Sequence, residues 1–154
     1  MVNPMEIKKL KYFDLGEEGG LFEALRSDDA LFDGKFGQNL VSIVKPGIIK
    51  GLHLHHKQTE YTTCIKGDIL YVAITDDLKQ PAIEKFLIGR NNRLLIKTPP
   101  GIGMDIRFLT KKTLSYYTPW ISLIIQMISI PKRSLSWHSG TFGTCKYRSL
   151  IQKK

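Results

Sequence analysis

Two histidines and a glutamate stand close enough in the sequence to share one chemical site. In an extended strand, side chains two positions apart point to the same face, so His53 and His55 are predicted to project together. A turn after them would let Glu60 open the next strand beside the two imidazoles. Such a group could bind a divalent metal ion such as zinc, iron, manganese or nickel. Alternatively, one imidazole could act as a general base near neutral pH.

The segments that would position these side chains are predicted to be short β-strands. The runs are rich in Val, Ile, Leu, Thr, Tyr and Phe, and Gly- or Pro-containing turns separate them. The predicted strands are 38–44, 61–66, 69–75, 84–88, 93–98, 105–109 and 113–118. Short strands at such close spacing predict an all-β sandwich or barrel. One or two helical turns are expected near 21–25.

The charge distribution argues against a nucleic-acid partner. The net charge is +9, but up to Asp105 the chain has 14 basic and 14 acidic residues, and after it nine basic and no acidic ones. These late basic residues are scattered among Ser, Ile and Leu. A nucleic-acid-binding face usually concentrates its basic residues on one element, often with stacking aromatics. We therefore expect the protein not to bind nucleic acid.

Other features of the sequence bear on compartment and domain organisation. Two cysteines, Cys64 and Cys145, exclude a disulfide scaffold. No secretory signal is visible, and the longest apolar run, 120–130, is shorter than the ~20 residues that a membrane span needs. We expect a cytoplasmic protein without membrane contact. Residues 1–119 are predicted to form one domain that includes short N-terminal strands, and residues 120–154 an irregular, basic C-terminal extension.

The histidines belong to a longer motif. The segment from Gly47 to Gly67, with its His-x-His and the following glutamate, has the spacing of the first signature motif of the cupins. Pro99-Pro100-Gly101 resembles the second motif, but Met104 stands where that motif has a histidine. A thioether is a weak ligand for hard divalent metals. A metal centre would therefore depend on three residues: His53, His55 and Glu60.

Further segments resemble one branch of the cupins, the dTDP-4-dehydrorhamnose 3,5-epimerases and related nucleotide-sugar epimerases. The resemblance covers about 12–119. It includes Gly20-Leu21-Phe22-Glu23, Gly51-Leu52-His53 and Tyr116-Tyr117-Thr118-Pro119. It implies a cupin jelly-roll fold, a nucleotide-sugar substrate and catalysis without a metal cofactor. It also implies a homodimer in which the N-terminal strands of 12–25 pair with the partner.

The resemblance assigns roles to individual residues. The family's catalytic histidine matches His53, which would remove a proton next to the C4 ketone of an NDP-4-keto-6-deoxysugar in deoxysugar or polysaccharide biosynthesis. Gln38 and Lys50 would help to hold the sugar and the diphosphate. His55 and Glu60 would also bind substrate, although Glu60 falls where the family has a lysine.

Two alternative functions remain open from the sequence. One is a metal-binding cupin, an isomerase or a sensor, that holds one divalent metal ion with His53, His55 and Glu60. The other is a catalytically inactive sugar-binding cupin. The family's catalytic histidine is oriented by an aspartate from the C-terminal region, and this chain has no acidic residue after Asp105.

Overall fold

The computed structural model describes residues 4–45, 48–75, 81–108 and 122–129. Within these ranges the secondary structure is almost entirely β, which confirms the predicted all-β class, with one turn of 3-10 helix at Gly16–Glu18. The strands are β1 (Glu6–Lys9), β2 (Tyr12–Asp14), β3 (Gly20–Phe22), β4 (Gln38–Val44), β5 (Ile49–Leu54), β6 (Thr59–Lys66), β7 (Asp68–Thr75), β8 (Ile83–Gly89), β9 (Leu94–Thr98), β10 (Ile102–Phe108) and β11 (Ser122–Ser129). The same ranges contain no helix with the length and apolar character needed for crossing a membrane.

The strands form two antiparallel sheets and a separate hairpin. One sheet has the order β1-β9-β6-β11-β4 and the other the order β5-β10-β7-β8, while β2 pairs with β3 alone. The two large sheets face each other, because one cluster of buried side chains draws on both. Strands β4 and β5, which are consecutive in the chain, are edge strands of different sheets. The short connection between them therefore joins the two layers.

A second apolar cluster covers the outer face of the five-stranded sheet. Side chains alternate between faces along β6, so Tyr61 points away from the interior that Glu60 faces. Tyr61 packs with Leu10, Leu31 and Leu95. Its hydroxyl donates to the carbonyl of Leu31 at 3.2 Å and accepts the N–H of Asp33 at 3.0 Å. The segment before β4 is thereby held against the sheet.

The predicted strands between residues 38 and 108 are all present, with shifted ends. The helical turns expected near 21–25 are wrong: Leu21 and Phe22 belong to β3 and lie opposite Phe13 and Tyr12. The reason is tertiary, since Phe22 packs against the second apolar cluster from an extended hairpin. The predicted strand 113–118 lies outside the described residues.

Strand β11 lies inside the sheet although the sequence analysis placed its residues in the C-terminal extension. It pairs antiparallel with both β4 and β6. Its sequence, SLIIQMIS, is a nearly continuous apolar run. Such runs are typical of strands with neighbours on both sides and cover on both faces, and they lack the alternation that signals a half-exposed strand. Residues 130–154 lie outside the described residues, and the domain boundary near residue 119 stays a prediction.

A β-bulge interrupts the pairing between β5 and β10. His53 lies opposite Met104, whereas Asp105 lies opposite Gly51, so Leu52 is the extra residue. A bulge of this kind bends the strand and redirects the side chains on one side of it. Here it lies directly before the histidine of the motif.

The bulge puts two chemically active side chains on the interior face. Lys50 lies opposite Ile106, and His53 lies opposite Met104. Directly opposite residues of an antiparallel pair share a face, and both Ile106 and Met104 belong to the interior cluster. In a regular strand, Lys50 and His53 would point to opposite faces, because they are three positions apart.

Gly51 gives the bulge the space it needs, and its replacement tests this. A Cβ on Gly51 would overlap the Asp105 carboxylate and lie 2.8 Å from the Asp105 Cα, whereas a Cβ on Gly103 of the neighbouring strand would meet its nearest atom at 3.5 Å. We expect Gly51→Ala to lower the free energy of unfolding by about 1–3 kcal/mol, because both the buried Asp105 side chain and the backbone of β10 must move. Gly103→Ala is the matched control. Urea unfolding measures both, and equal stabilities of the two variants would contradict the close approach.

Candidate active site

One end of the interior between the two sheets is polar. The five-stranded sheet contributes Ser42, Glu60, Thr62 and Thr98, and the four-stranded sheet contributes Lys50, His53 and Tyr71. Contacts cross between the sheets, because the hydroxyls of Tyr71 and Thr98 are 2.6 Å apart. The Lys50 ammonium likewise donates a hydrogen bond to the hydroxyl of Ser42. Lys50, His53 and Glu60, which the sequence analysis predicted as site residues, therefore lie together in a polar region of the interior.

His53 is half-buried at this polar end. Burial lowers the pKa of His53, the nearby Glu60 carboxylate opposes that shift, and the charges of His55 and Lys50 add to it. The net effect is a pKa below the ordinary value of 6.5. At neutral pH the side chain is therefore a neutral imidazole with a lone pair that can accept a proton.

The His55 imidazole faces the Glu60 carboxylate just after the end of β5. His55 Nε2 lies 3.5 Å from Glu60 Oε2. The carboxylate is 3% exposed, and its other oxygen accepts the Thr62 hydroxyl at 2.7 Å. The backbone of His55 is also held, because its carbonyl accepts the N–H of Gly101 at 2.8 Å. The prediction that Glu60 opens the next strand beside the imidazoles agrees with this geometry.

The other two predicted binding residues lie on β4 and β5. Lys50 is exposed at the rim and reaches Ser42, which is buried. Gln38 is half-buried at the start of β4. Gln38 shares the inner face of β4 with Ser42, since the two are four positions apart and side chains alternate between the faces of a strand. Their roles in binding substrate stay predictions.

The metal-binding alternative stays a prediction. Among the residues that the structure describes, no group of three His, Cys, Asp or Glu side chains is placed to hold a metal ion. In the predicted group of His53, His55 and Glu60, one carboxylate oxygen is hydrogen-bonded to Thr62 and the other faces His55. The position of the second-motif histidine is filled by Met104, whose sulfur lies 3.6 Å from the Tyr71 hydroxyl.

Sequence reasoning missed the hydroxyl groups of the site. Tyr71, Thr62 and Thr98 are fully buried and lie beside Glu60 or each other. A weak signal for Thr62 was available, because it shares the inner face with Glu60 two positions earlier. Tyr71 lies in an apolar run of β7, which indicates only core packing, and its ring does belong to the interior cluster.

Proteins that are similar to this chain in sequence have names that refer to polysaccharide or glycan biosynthesis. No protein-family model matches the chain. The spore coat polysaccharide biosynthesis protein SpsL of Bacillus subtilis is 31% identical over 149 residues, which cover 93% of this chain and 95% of that protein. The probable low-salt glycan biosynthesis epimerase Agl13 of Haloferax volcanii is 28% identical over 103 residues, which cover 64% of this chain and 65% of that protein.

Solved structures share the fold. A dTDP sugar isomerase of Desulfovibrio desulfuricans matches with a TM-score of 0.73 at 20% identity, over 93% of this chain and 87% of that chain. The dTDP-6-deoxy-D-glucose-3,5-epimerase of Legionella pneumophila, solved with dTDP-4-keto-L-rhamnose, matches with a TM-score of 0.67 at 17% identity, over 82% of this chain and 67% of that chain. These matches confirm the predicted cupin jelly-roll fold.

Three observations agree on the family. The Gly-Leu-His segment lies on the bulged strand β5, the fold is that of the sugar-nucleotide epimerases, and SpsL is similar over nearly the whole length of both chains. The chain therefore belongs to the family of the polysaccharide biosynthesis protein SpsL, and it has the fold of the dTDP-4-dehydrorhamnose 3,5-epimerases.

Proposed function

We propose that the protein epimerises an NDP-4-keto-6-deoxysugar in deoxysugar or polysaccharide biosynthesis, with His53 as the general base. The observation that supports this most is the environment of His53. Its half-buried imidazole faces the polar interior, and burial lowers its pKa. An imidazole that is neutral at physiological pH has a free lone pair, which a general base needs in order to remove a proton from carbon.

The proposed reaction removes one proton and returns another from the opposite side. The C4 ketone acidifies the neighbouring C–H, and the His53 nitrogen takes that proton while the electron pair of the C–H bond forms an enolate. A proton that comes from solvent then adds to the same carbon from the other face and restores the ketone with inverted stereochemistry, and His53 releases the proton it took to solvent. His55 and Glu60 would contact the sugar. Lys50 would attract the diphosphate as a point charge, and Gln38 would hydrogen-bond the sugar.

We propose that no metal ion takes part, so the enolate charge must be stabilised by side chains. Preorganised donors in a site shielded from water are effective at this. His55, beside the buried Glu60, and Lys50, beside Ser42, are available in the described part of the site.

We also propose a cytoplasmic location, because a nucleotide-sugar substrate has a charged diphosphate that does not cross membranes unaided.

We propose that the partner is a second copy of this chain, docked through the β2–β3 hairpin. The hairpin forms its own sheet and pairs with neither large sheet in the described residues. Its exposed hydrophobic side chains are Tyr12, Phe13, Leu15 and Leu21. Such a patch on a free hairpin is a typical protein interaction site. The same segment resembles the family's dimer-forming strands.

Replacement of His53 tests the proposed chemistry. With dTDP-4-keto-6-deoxyglucose in D2O, NMR should show deuterium entering C3 or C5 with the intact protein, also in the presence of a chelator. His53→Ala should slow this exchange by about 10²–10⁴-fold, the contribution typical of a general base. The matched control is His56→Ala, in the turn between β5 and β6, which should keep the exchange. Undiminished exchange in His53→Ala would remove His53 from the mechanism, and saturable binding without exchange by the intact protein would indicate an inactive sugar-binding cupin.

The pH dependence of exchange tests the environment of His53. Because its pKa lies below 6.5, kcat/KM should fall on acidification with a midpoint below 6.5. The charged or titratable groups that act on His53 are Glu60, His55 and Lys50. Glu60→Gln removes a charge that raises this pKa and should move the midpoint to lower pH. Lys50→Met removes a charge that lowers it and should move the midpoint to higher pH. Shifts of the same sign in both variants would contradict the assignment.

Sedimentation velocity tests the proposed dimer. Leu21→Asp on the hairpin should produce a monomer at micromolar concentration, because a buried, unpaired carboxylate strongly disfavours association. Ile43→Asp is the matched control, since Ile43 is also exposed but lies on β4 at 61% relative exposure. A monomer of the unchanged protein would contradict the dimer. Dissociation by Ile43→Asp alone would place the interface on β4 instead.

A further inference from the structure

The carboxyl group of Asp105 lies in the space that a side chain on the opposite strand would normally fill. Asp105 on β10 lies opposite Gly51 on β5. A Cβ built on Gly51 would overlap Asp105 Oδ1 and lie 2.7 Å from Asp105 Cγ. In an ordinary antiparallel pair, the two Cβ atoms of opposite residues are about 4.5–5.5 Å apart and each side chain keeps to its own strand. The residue opposite Asp105 must therefore lack a Cβ.

The Asp105 side chain is enclosed where it lies. The residue is 2% exposed, and its Oδ1 has no hydrogen-bond partner in the part of the chain that the structure describes. A buried oxygen without a partner costs free energy, so hydrogen bonding at this atom does not explain the placement. The contribution of the side chain here is its shape, which fits over a residue that has only a hydrogen on Cα.

A second aspartate in the same sheet is placed in the same way. Asp68 on β7 lies opposite Gly89 on β8, and a Cβ on Gly89 would overlap Asp68 Oδ1 and lie 2.8 Å from Asp68 Cγ. The pairing of β7 with β8 is regular. An aspartate over a glycine therefore does not by itself create a bulge; it restricts which residue can lie opposite.

On β5 this restriction selects one register. Gly51 is the single glycine of the strand. If pairing continued without interruption from His53 opposite Met104, the next residue, Leu52, would lie opposite Asp105. Its Cβ would then fall where the carboxyl group lies. Gly51 reaches this position only if Leu52 is left without a partner, and that arrangement is the observed bulge.

We propose that Asp105 is a positioning residue, which sets the register of β5 and thereby keeps Lys50 and His53 on the interior face together. The kinetic consequence of this role rests on the exchange reaction proposed above. In regular pairing one of these two side chains would turn out of the interior, since they are three positions apart. Asp105 itself lies on the outer side of β10 and does not touch the sugar.

Two replacements of Leu52 test the register without changing Asp105. Leu52→Gly offers the carboxyl group a second position without a Cβ, whereas Leu52→Ala removes nearly the same side chain and keeps the Cβ. Regular pairing restores the hydrogen bonds that a bulge interrupts, so Leu52→Gly should adopt it. Backbone NOEs should connect position 105 to position 52 in Leu52→Gly and to position 51 in Leu52→Ala. The same bulged register in both variants would overturn the proposal.

Replacement of Asp105 tests the consequence for the site. Asp105→Ala lets Leu52 lie opposite position 105, so kcat/KM of exchange should fall by at least about tenfold, because misplaced groups are costly. Asp105→Asn keeps the shape and should stay within about twofold of the unchanged protein, since only the register matters to the reacting groups.

Asp68→Ala is the matched control for this loss. It removes an aspartate from a regular pair of the same sheet, so it should lower stability and keep the exchange. Unchanged exchange in Asp105→Ala, or equal losses in Asp105→Ala and Asp105→Asn, would overturn the proposal. If Asp105→Ala does not fold, Leu52→Gly carries the same expected loss, with Leu52→Ala as its control.

The NOE measurement distinguishes failure of this proposal from failure of the proposed function, because it needs no substrate. A register that moves in Leu52→Gly alone supports the role of Asp105, even if the intact protein exchanges no sugar proton. A register that stays in place in Leu52→Gly overturns that role, even if His53 proves to be the base.

Discussion

The extra residue in β5 is the constraint on which the interior site depends. Leu52 has no partner of its own on β10, and this shift in register brings Lys50 and His53 onto one face. The close approach of Gly51 to Asp105 accompanies the bulge. Asp105 is 2% exposed, its Oδ1 has no hydrogen-bond partner among the described residues, and burial raises the pKa of its carboxyl group. The fold thus accepts a poorly solvated carboxyl on the outer side of β10 next to the bulge that presents His53 on the inner side.

The polar end of the interior is stabilised by hydrogen-bond partners for its buried polar groups. Leaving a buried carboxylate unpaired would cost several kcal/mol. Glu60 avoids this because Thr62 donates to it and His55 faces it. The same carboxylate opposes the effect of burial on His53, while Lys50 and His55 add to that effect. His53 therefore interacts electrostatically with Glu60, His55 and Lys50, and replacing any one of these three changes the pKa of His53.

Local pattern predicted much of the fold and part of the site. Alternation and turn residues located β4 and the strands from β6 to β10, and the spacing from His53 to Glu60 correctly indicated that the two lie near each other. The local pattern failed to predict the structure where contacts between distant segments of the chain determine it. Extended pairing with β2 overrode the expected helical turns in β3, and β11, whose sequence lacks clean alternation, is recognised as a strand only by its pairing with β4 and β6. Tyr71 and Thr98 lie 27 positions apart in the chain, so their contact follows from how the sheets stack and no local spacing signals it.

The central claim is that a sugar ring enters the polar end of the interior and presents a C–H next to its ketone to His53. A crystal structure of the protein with dTDP-4-keto-6-deoxyglucose or a stable analogue tests this most directly. The account predicts C3 or C5 within about 3.5 Å of a His53 ring nitrogen, the distance of a reactive arrangement. It also predicts that His55 and Lys50 contact the ligand. A ligand bound on another surface, or one whose ring carbons lie beyond the reach of His53, would contradict it.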